Sequence, residues 1–181
     1  MRRYIFAEDK RKNYWVIFGK CVGWVALGTV VGILFFYVFK DLSVILIEKF
    51  KFLQSVFGIS QYQQGMLFGR VLSTILIGNL VSTIAYFILG YLKALIPISI
   101  ITGFFVVVFL MTGIIRNQQA IPLEVILLMS GETAYRIIAI TTGEHLQKNK
   151  LKKRWVFITS VIVIVVLFIA MAFYEVYQIF G

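Results

Sequence analysis

Five apolar segments of about twenty residues each divide this chain, and they constrain its fold more than any other feature. They cover residues 14–39, 71–92, 98–115, 121–142 and 155–174. An α-helix needs about 20 apolar residues to cross the hydrocarbon core of a bilayer, because each residue adds about 1.5 Å. The chain is 60% hydrophobic and 14% charged, with a mean hydropathy of +0.91, unlike a soluble domain. The sequence therefore predicts an all-α, polytopic integral membrane protein with five transmembrane helices.

The remaining segments complete a simple domain organisation. Residues 1–13 are predicted to be a basic cytoplasmic N-terminal segment, and residues 14–181 a single integral membrane domain. Within the longest connection, residues 42–57 place apolar side chains at helical spacing, which predicts an amphipathic helix on the extracytoplasmic membrane surface. A re-entrant segment is the alternative, because the apolar part is too short to span but long enough to dip into the bilayer.

The formal charge of +10 is carried largely by basic residues gathered beside the apolar segments. The basic residues of the N-terminal segment are Arg2, Arg3, Lys10, Arg11 and Lys12, and those just before the fifth apolar segment are Lys148, Lys150, Lys152, Lys153 and Arg154. Cytoplasmic loops carry such an excess, so we expect a cell-membrane protein with its N-terminus in the cytoplasm and its C-terminus outside. The second cluster is expected to meet anionic lipid headgroups rather than nucleic acid.

The fourth apolar segment contains ionisable side chains, which is costly inside a membrane. An ionised group near the bilayer centre costs several kcal/mol or more unless it is paired. Glu132 and Arg136 lie one helical turn apart and can pair, and Asn79 of the second segment is expected to satisfy the remaining donors of the arginine. The predicted intramembrane polar network comprises Asn79, Glu124, Glu132, Arg136 and Glu175, with Arg70 and Arg116 as charge partners at the outer rim. A proton- or ion-conducting site is the alternative interpretation.

The rest of the fourth segment is predicted to face lipid. Its largely apolar side is formed by Leu123, Ile126, Leu127, Ala134, Ile137, Ile138 and Ile140. Glycines are expected to bring other helices into close contact, as small residues spaced four apart do in membranes. The candidate packing glycines are Gly19, Gly23, Gly28, Gly32, Gly78 and Gly103. The first four form two pairs on roughly opposite sides of the first segment, which predicts a helix sandwiched between neighbours.

An enzymatic role finds little support in the sequence. Glu132 and Arg136 resemble half of the ExxxR signature of the CAAX-protease family, whose site also needs a preceding Glu and two intramembrane histidines. Here the preceding residue is Gly131, and the single histidine, His145, is expected to lie in the basic cytoplasmic loop. The chain lacks the HExxH, GxSxG and P-loop motifs, and its one cysteine cannot form an intrachain disulfide or a thiolate cluster. We therefore expect no catalytic residues, no metal site and no cofactor.

Sparse positions from about Phe68 onward resemble the stage II sporulation protein M family. They are Asn79 and Gly90 in the second segment, Gly103 in the third, Pro122 and Glu124 at the start of the fourth, and Glu175 and Tyr177 at the end of the last. The chain departs from the family pattern at Leu123, where the family has His-Gly after the proline, and at Thr102, which replaces an asparagine.

The resemblance implies a non-enzymatic membrane scaffold or assembly factor of the cell envelope. The family's sporulation member helps to assemble a cell-wall remodelling complex, so expected partners are other membrane proteins or further copies of the chain. A membrane transport component is the alternative, either a secondary carrier or the permease subunit of an ABC-type exporter. In that case the Glu, Arg and Asn side chains would line the transport route.

Overall fold

The computed structural model of the chain describes residues 13–56, 67–117, 120–149 and 154–180, and in these ranges all regular secondary structure is helical. The six helices are α1 (Tyr14–Val38), α2 (Lys40–Val56), α3 (Phe68–Tyr91), α4 (Leu95–Asn117), α5 (Leu123–Asn149) and α6 (Arg154–Phe180). They confirm the predicted helical bundle. The basic N-terminal segment, except for Asn13, lies outside the described residues.

Four of these helices are long and apolar enough to cross a membrane. They are α1, α3, the Leu95–Ile115 part of α4, and α6. α5, which carries Glu124, Glu132 and Arg136, is not among the four. The four apolar helices support an integral membrane protein, in agreement with the composition.

α1 and α4 form the largest interface between two helices in the described part of the chain. A Cβ atom added to Gly28 would overlap the backbone of Ile100, and one added to Gly32 would crowd the backbone of Phe104. Gly103 of α4 in turn lies against the backbone of α1. Gly28 meets Ile100, and one turn later Gly32 meets Phe104. Because the contacts move forward along both helices together, α1 and α4 run parallel. Here glycine is required because the two backbones touch.

α3 and α5 form a second parallel pair, built in the same way. A Cβ atom on Gly90 of α3 would overlap the backbone of Ile140, and one on Gly143 of α5 would overlap the backbone of α3. The contact between Ser82 and Arg136 lies earlier along both helices, which fixes their common direction. Two glycine-dependent pairs therefore form the frame of the bundle.

α6 runs antiparallel to the α3–α5 pair and packs against both of its helices. The rings of Phe68 and Phe180 are 5.6 Å apart at one end of α3, and those of Phe87 and Phe157 are 6.2 Å apart nearer the other. The bundle thus has a near end, where α1, α4 and α6 begin and α3 and α5 finish. At the opposite end, the far end, α1, α4 and α6 finish and α3 and α5 begin.

α2 begins at the far end and packs along α4. The rings of Phe50 and Phe105 are 5.1 Å apart, and Ile47 is buried in a cluster with Val108. Phe105 precedes the end of α4 at Asn117 by about twelve residues, which is about 18 Å along the helix axis. The contacts of α2 therefore extend from the far end of the bundle to about the middle of α4.

Two expectations about helix surfaces need correction. A Cβ atom on Gly19 or Gly23 would meet no described atom within 4 Å, so α1 is packed on one glycine side and not sandwiched. On α5, Leu123 and Leu127 are exposed as expected, but Ile140 is buried. The reason is the close contact with α3, which covers this part of α5 from Ala139 to Gly143. Gly78 is half-buried in α3.

Candidate functional site

The charged side chains of α5 form an ion pair inside the bundle. Arg136 Nη2 lies 3.0 Å from Glu132 Oε2, and the two residues are one helical turn apart. Their side chains are only 19% and 15% exposed. The sequence predicts this pairing, because charges placed near the middle of a membrane require compensation.

A second contact fixes the arginine to another helix. Arg136 donates from Nε to Ser82 Oγ of α3 at a distance of 3.0 Å. The contact is possible because Gly90 and Gly143 allow the α3 and α5 backbones to touch further along the pair. The guanidinium group of Arg136 thus links the carboxylate of its own helix to the hydroxyl of a neighbour.

Tyr135 occupies the buried side of the same turn of α5. Its side chain is fully buried, and the guanidinium carbon of Arg136 lies 5.6 Å from the centroid of its ring, within range of a cation–π contact. Within the described ranges, the Tyr135 hydroxyl has no hydrogen-bond partner. The tyrosine therefore contributes apolar packing and ring electrostatics to the site.

Glu175 of α6 brings a second carboxylate to the pair. It is half-buried and interacts electrostatically with both Glu132 and Arg136. The approach of α6 to this part of α5 is close, because the side chain of Met171 packs directly on Gly131. Three helices therefore contribute to the charge cluster, which we define as Ser82, Glu132, Arg136 and Glu175.

Not every residue of the predicted network joins this cluster. Asn79 is buried on α3, but its amide nitrogen has no hydrogen-bond partner among the described residues, and Ser82 takes its predicted place beside Arg136. Glu124 is exposed, and no ion pair to it is found in the described part of the chain. Glu124 lies about two helical turns before Glu132, so its carboxylate is too far along α5 to reach the cluster.

The predicted charge partners at the outer rim do not assemble either. Arg70 is exposed in the first turn of α3, and no described carboxylate pairs with its guanidinium group. Its backbone carbonyl accepts hydrogen bonds from Ser73 and Thr74. The side chain of Arg116 lies outside the described part of the structure.

Ser82 is the residue that sequence reasoning missed. α3 carries several hydroxyl side chains, and Thr83 donates to the backbone carbonyl of Asn79 within its own helix. Ser73 and Thr74 also donate within α3. Such bonding to the preceding turn is common for Ser and Thr in helices, so a hydroxyl in the sequence does not by itself indicate a contact between helices.

Other polar contacts join the helices towards the near end. Tyr86 and Thr102 place their hydroxyl oxygens 2.7 Å apart between α3 and α4. Cys21 Sγ lies 3.1 Å from Ser99 Oγ between α1 and α4. The neutral contact between Tyr86 and Thr102 therefore joins the two parallel pairs, whereas that between Cys21 and Ser99 lies within the α1–α4 pair.

The described residues do not bring together three His, Cys, Asp or Glu side chains that could hold a metal ion. His145 is buried on α5 and does not lie in a loop as predicted. It lies thirteen residues beyond Glu132, about 20 Å along the axis, and its ring packs against Tyr14. The histidine is therefore remote from the ExxxR residues.

Comparisons of the chain with protein-family models, curated proteins and solved structures find no match. The geometry of the bundle is therefore the basis for proposing its function.

Proposed function

We propose that this protein is a non-enzymatic membrane scaffold or assembly factor whose intramembrane charges are structural. The observation that carries this proposal is that Arg136 contacts both Glu132 and Ser82, so its charge and two of its nitrogen donors are used within the protein. Neither of two surface grooves found on the bundle is lined by a residue of the charge cluster. A cluster satisfied in this way fixes helix position and leaves little capacity to bind cargo.

The proposed scaffold crosses the membrane five times. α4 finishes at the far end and α6 begins at the near end, so the chain between them must travel the length of the bundle. α5 makes this passage as a helix of 27 residues, about 40 Å long, between α3 and α6. Charge in α5 is tolerable there because neighbouring helices cover it.

The basic residues support an orientation with the near end in the cytoplasm. Arg154 begins α6 at that end, and Lys148 lies in the last turn of α5, where it is paired with Glu144. In this orientation α2 begins at the extracytoplasmic face. Its contact with Phe105 favours the re-entrant alternative, since a helix lying flat on the surface would not extend so far along α4.

Two of the glycines support the proposed kinship with the stage II sporulation protein M family. Gly90 and Gly103, on which the resemblance partly rests, both occupy sites where a side chain would overlap a neighbouring backbone. A membrane assembly role follows from that kinship, with other membrane proteins or further copies of the chain as partners. The exposed apolar surfaces of α1 and α6 are suited to lipid or to such partners.

One observation favours the transport alternative. Glu175 supplies a second carboxylate beside Glu132, and the charge pair retains some exposure on the bundle. Two carboxylates and one arginine in a membrane could exchange a proton. A secondary carrier, or the permease subunit of an exporter, is therefore the second candidate.

Ion flux in reconstituted vesicles separates the two functions. The scaffold predicts no proton or ion flux in the wild type or in Glu132→Gln, and it predicts that Glu132→Gln weakens the bundle or its retention of partners. Glu124→Gln is the matched control, because Glu124 is exposed on the same helix outside the cluster. Flux in the wild type that Glu132→Gln abolishes and Glu124→Gln preserves would contradict the scaffold.

Purification in mild detergent provides the second test. A scaffold should retain further copies of the chain or envelope proteins, with less retention in Glu132→Gln than in Glu124→Gln. Recovery of an ATPase subunit would instead favour the exporter.

A further inference from the structure

An open groove lies at the near end of the bundle, between α1, α5 and α6. It has a volume of about 470 Å³. Its walls include Phe18 from α1, Ile138 from α5 and Val163 from α6. From Trp155 to Val163 the groove follows α6 for about 12 Å. It therefore leads from the end of the bundle into the apolar part of the helices.

Two tryptophans mark the mouth of the groove. Trp15 and Trp155 line it, and they are 72% and 81% exposed. The Trp15 ring packs edge to face on Tyr14 and on Phe18, which holds the α1 side of the groove in place. Exposed tryptophan and tyrosine side chains are typical of the membrane–water interface, where lipid headgroups meet acyl chains.

The groups at the mouth of the groove favour an anion. α1 and α6 both begin there, so the positive ends of two helix dipoles face the same region. Arg154, the first residue of α6, is exposed beside Trp155. The carboxylate of Glu144, which lies near the end of α5, is paired with Lys148. The charge at the mouth is therefore complementary to an anion, while the groove itself is complementary to hydrocarbon.

We propose that this near-end groove is a binding site for one anionic phospholipid. One acyl chain lies along Phe18, Ile138 and Val163, and the phosphate lies at the mouth beside Arg154 and the starts of α1 and α6. A zwitterionic lipid offers the same acyl chains but no net charge, so it binds less well. The site does not depend on whether the protein is a scaffold or a transport component.

Quenching of tryptophan fluorescence by brominated lipids tests the site directly. Trp24→Phe leaves Trp15 and Trp155 as the two tryptophans of the chain, and both line the groove. The full chain is reconstituted in vesicles containing brominated phosphatidylglycerol or, at the same mole fraction, brominated phosphatidylcholine. We expect about fivefold stronger association of the anionic lipid, the equivalent of about 1 kcal/mol for one basic side chain at the membrane surface.

Arginine variants then test whether the preference for anionic lipid depends on Arg154. In the Trp24→Phe background, Arg154→Gln should clearly reduce the fivefold preference, whereas Arg70→Gln should preserve it. Arg70 is the matched control because it is exposed in the first turn of a helix at the opposite end of the bundle. Equal quenching by the two lipids, or the same response in both arginine variants, would overturn the proposal.

A variant that fills the groove tests whether an acyl chain binds there. Thr159 lines the groove with an exposed side chain, so Thr159→Phe should occupy the space without disturbing the core. We expect this variant to lose most of the quenching by brominated phosphatidylglycerol while its helical circular dichroism spectrum is unchanged. Quenching equal to that of the parent protein would contradict binding in the groove.

Discussion

Both parallel helix pairs of this bundle depend on glycine to bring two backbones into contact, but the side chains at the two interfaces differ in polarity. Gly28 and Gly103 bring α1 against α4, and Gly90 and Gly143 bring α3 against α5. The α1–α4 pair is otherwise apolar, apart from neutral contacts such as that between a cysteine and a serine. The α3–α5 pair carries an arginine hydrogen-bonded across the interface.

The difference separates two contributions to a membrane fold, namely close backbone packing, which both pairs have, and a charged hydrogen bond, which only one pair has. Lipid chains are as apolar as leucine, so apolar burial alone does not drive helices together, and close packing must decide which surfaces meet. Both pairs obtain this packing from glycine. Only the α3–α5 pair adds a charged hydrogen bond, which restricts rotation and sliding of α5 once the backbones touch.

Filling a glycine contact should have the largest effect on stability. Gly103→Leu would force a side chain into the backbone of α1, so we expect a loss of about 3 kcal/mol or more in the free energy of unfolding. Gly90→Leu should have a similar effect in the other pair. Reversible unfolding in mixed detergent micelles measures both.

Gly19→Leu is the control for these variants. Gly19 lies on α1 in open space, so its replacement should cause no loss of stability, and the better helix propensity of leucine should add at most about 1 kcal/mol. An equally large loss in Gly19→Leu would show that detergent contacts, and not backbone packing, determine the result.

Removing the arginine should have the next largest effect and should distinguish the polar pair from the apolar one. Arg136→Leu leaves Glu132 beside Glu175 without a cation, so we expect a loss of about 2 kcal/mol at neutral pH. Arg70→Leu, at an exposed site, should be nearly neutral, and an equal loss there would contradict the cluster.

Removing one hydroxyl should have the smallest effect. Ser82→Ala deletes the acceptor for Arg136 and should cost about 0.6 kcal/mol, the average for hydrogen bonds between helices in a membrane protein. Ser73→Ala is the matched change on the same helix, where the hydroxyl bonds only its own backbone. If both changes have the same cost, Ser82 does not contribute to the α3–α5 contact.

The sequence predicts much of this fold because long apolar segments leave few alternatives. Residues 14–39 become a helix ending at Val38, and residues 71–92 become one that begins earlier, at Phe68. The pairing of Glu132 with Arg136 also follows from spacing, since residues four apart face each other on a helix. Local periodicity is therefore a sufficient guide to these features.

Contacts between distant segments are harder to predict. Gly19 and Gly28 have similar local sequence surroundings, yet only Gly28 meets a neighbour, because the crossing point of α1 and α4 depends on the whole bundle. Asn79 and Ser82 lie less than one turn apart on α3, and the choice between them depends on the rotation of α5. Helical spacing alone does not specify these rotations.

The coupling free energy between Glu132 and Arg136 tests the central claim most directly. A double-mutant cycle of Glu132→Gln, Arg136→Gln and the combined variant, measured by reversible unfolding at neutral pH, isolates this interaction. A structural pair predicts a favourable coupling of at least about 1 kcal/mol, with the double variant closer to the wild type than additive losses allow. Coupling indistinguishable from zero would contradict the account, because the two charges would then not stabilise the bundle through each other.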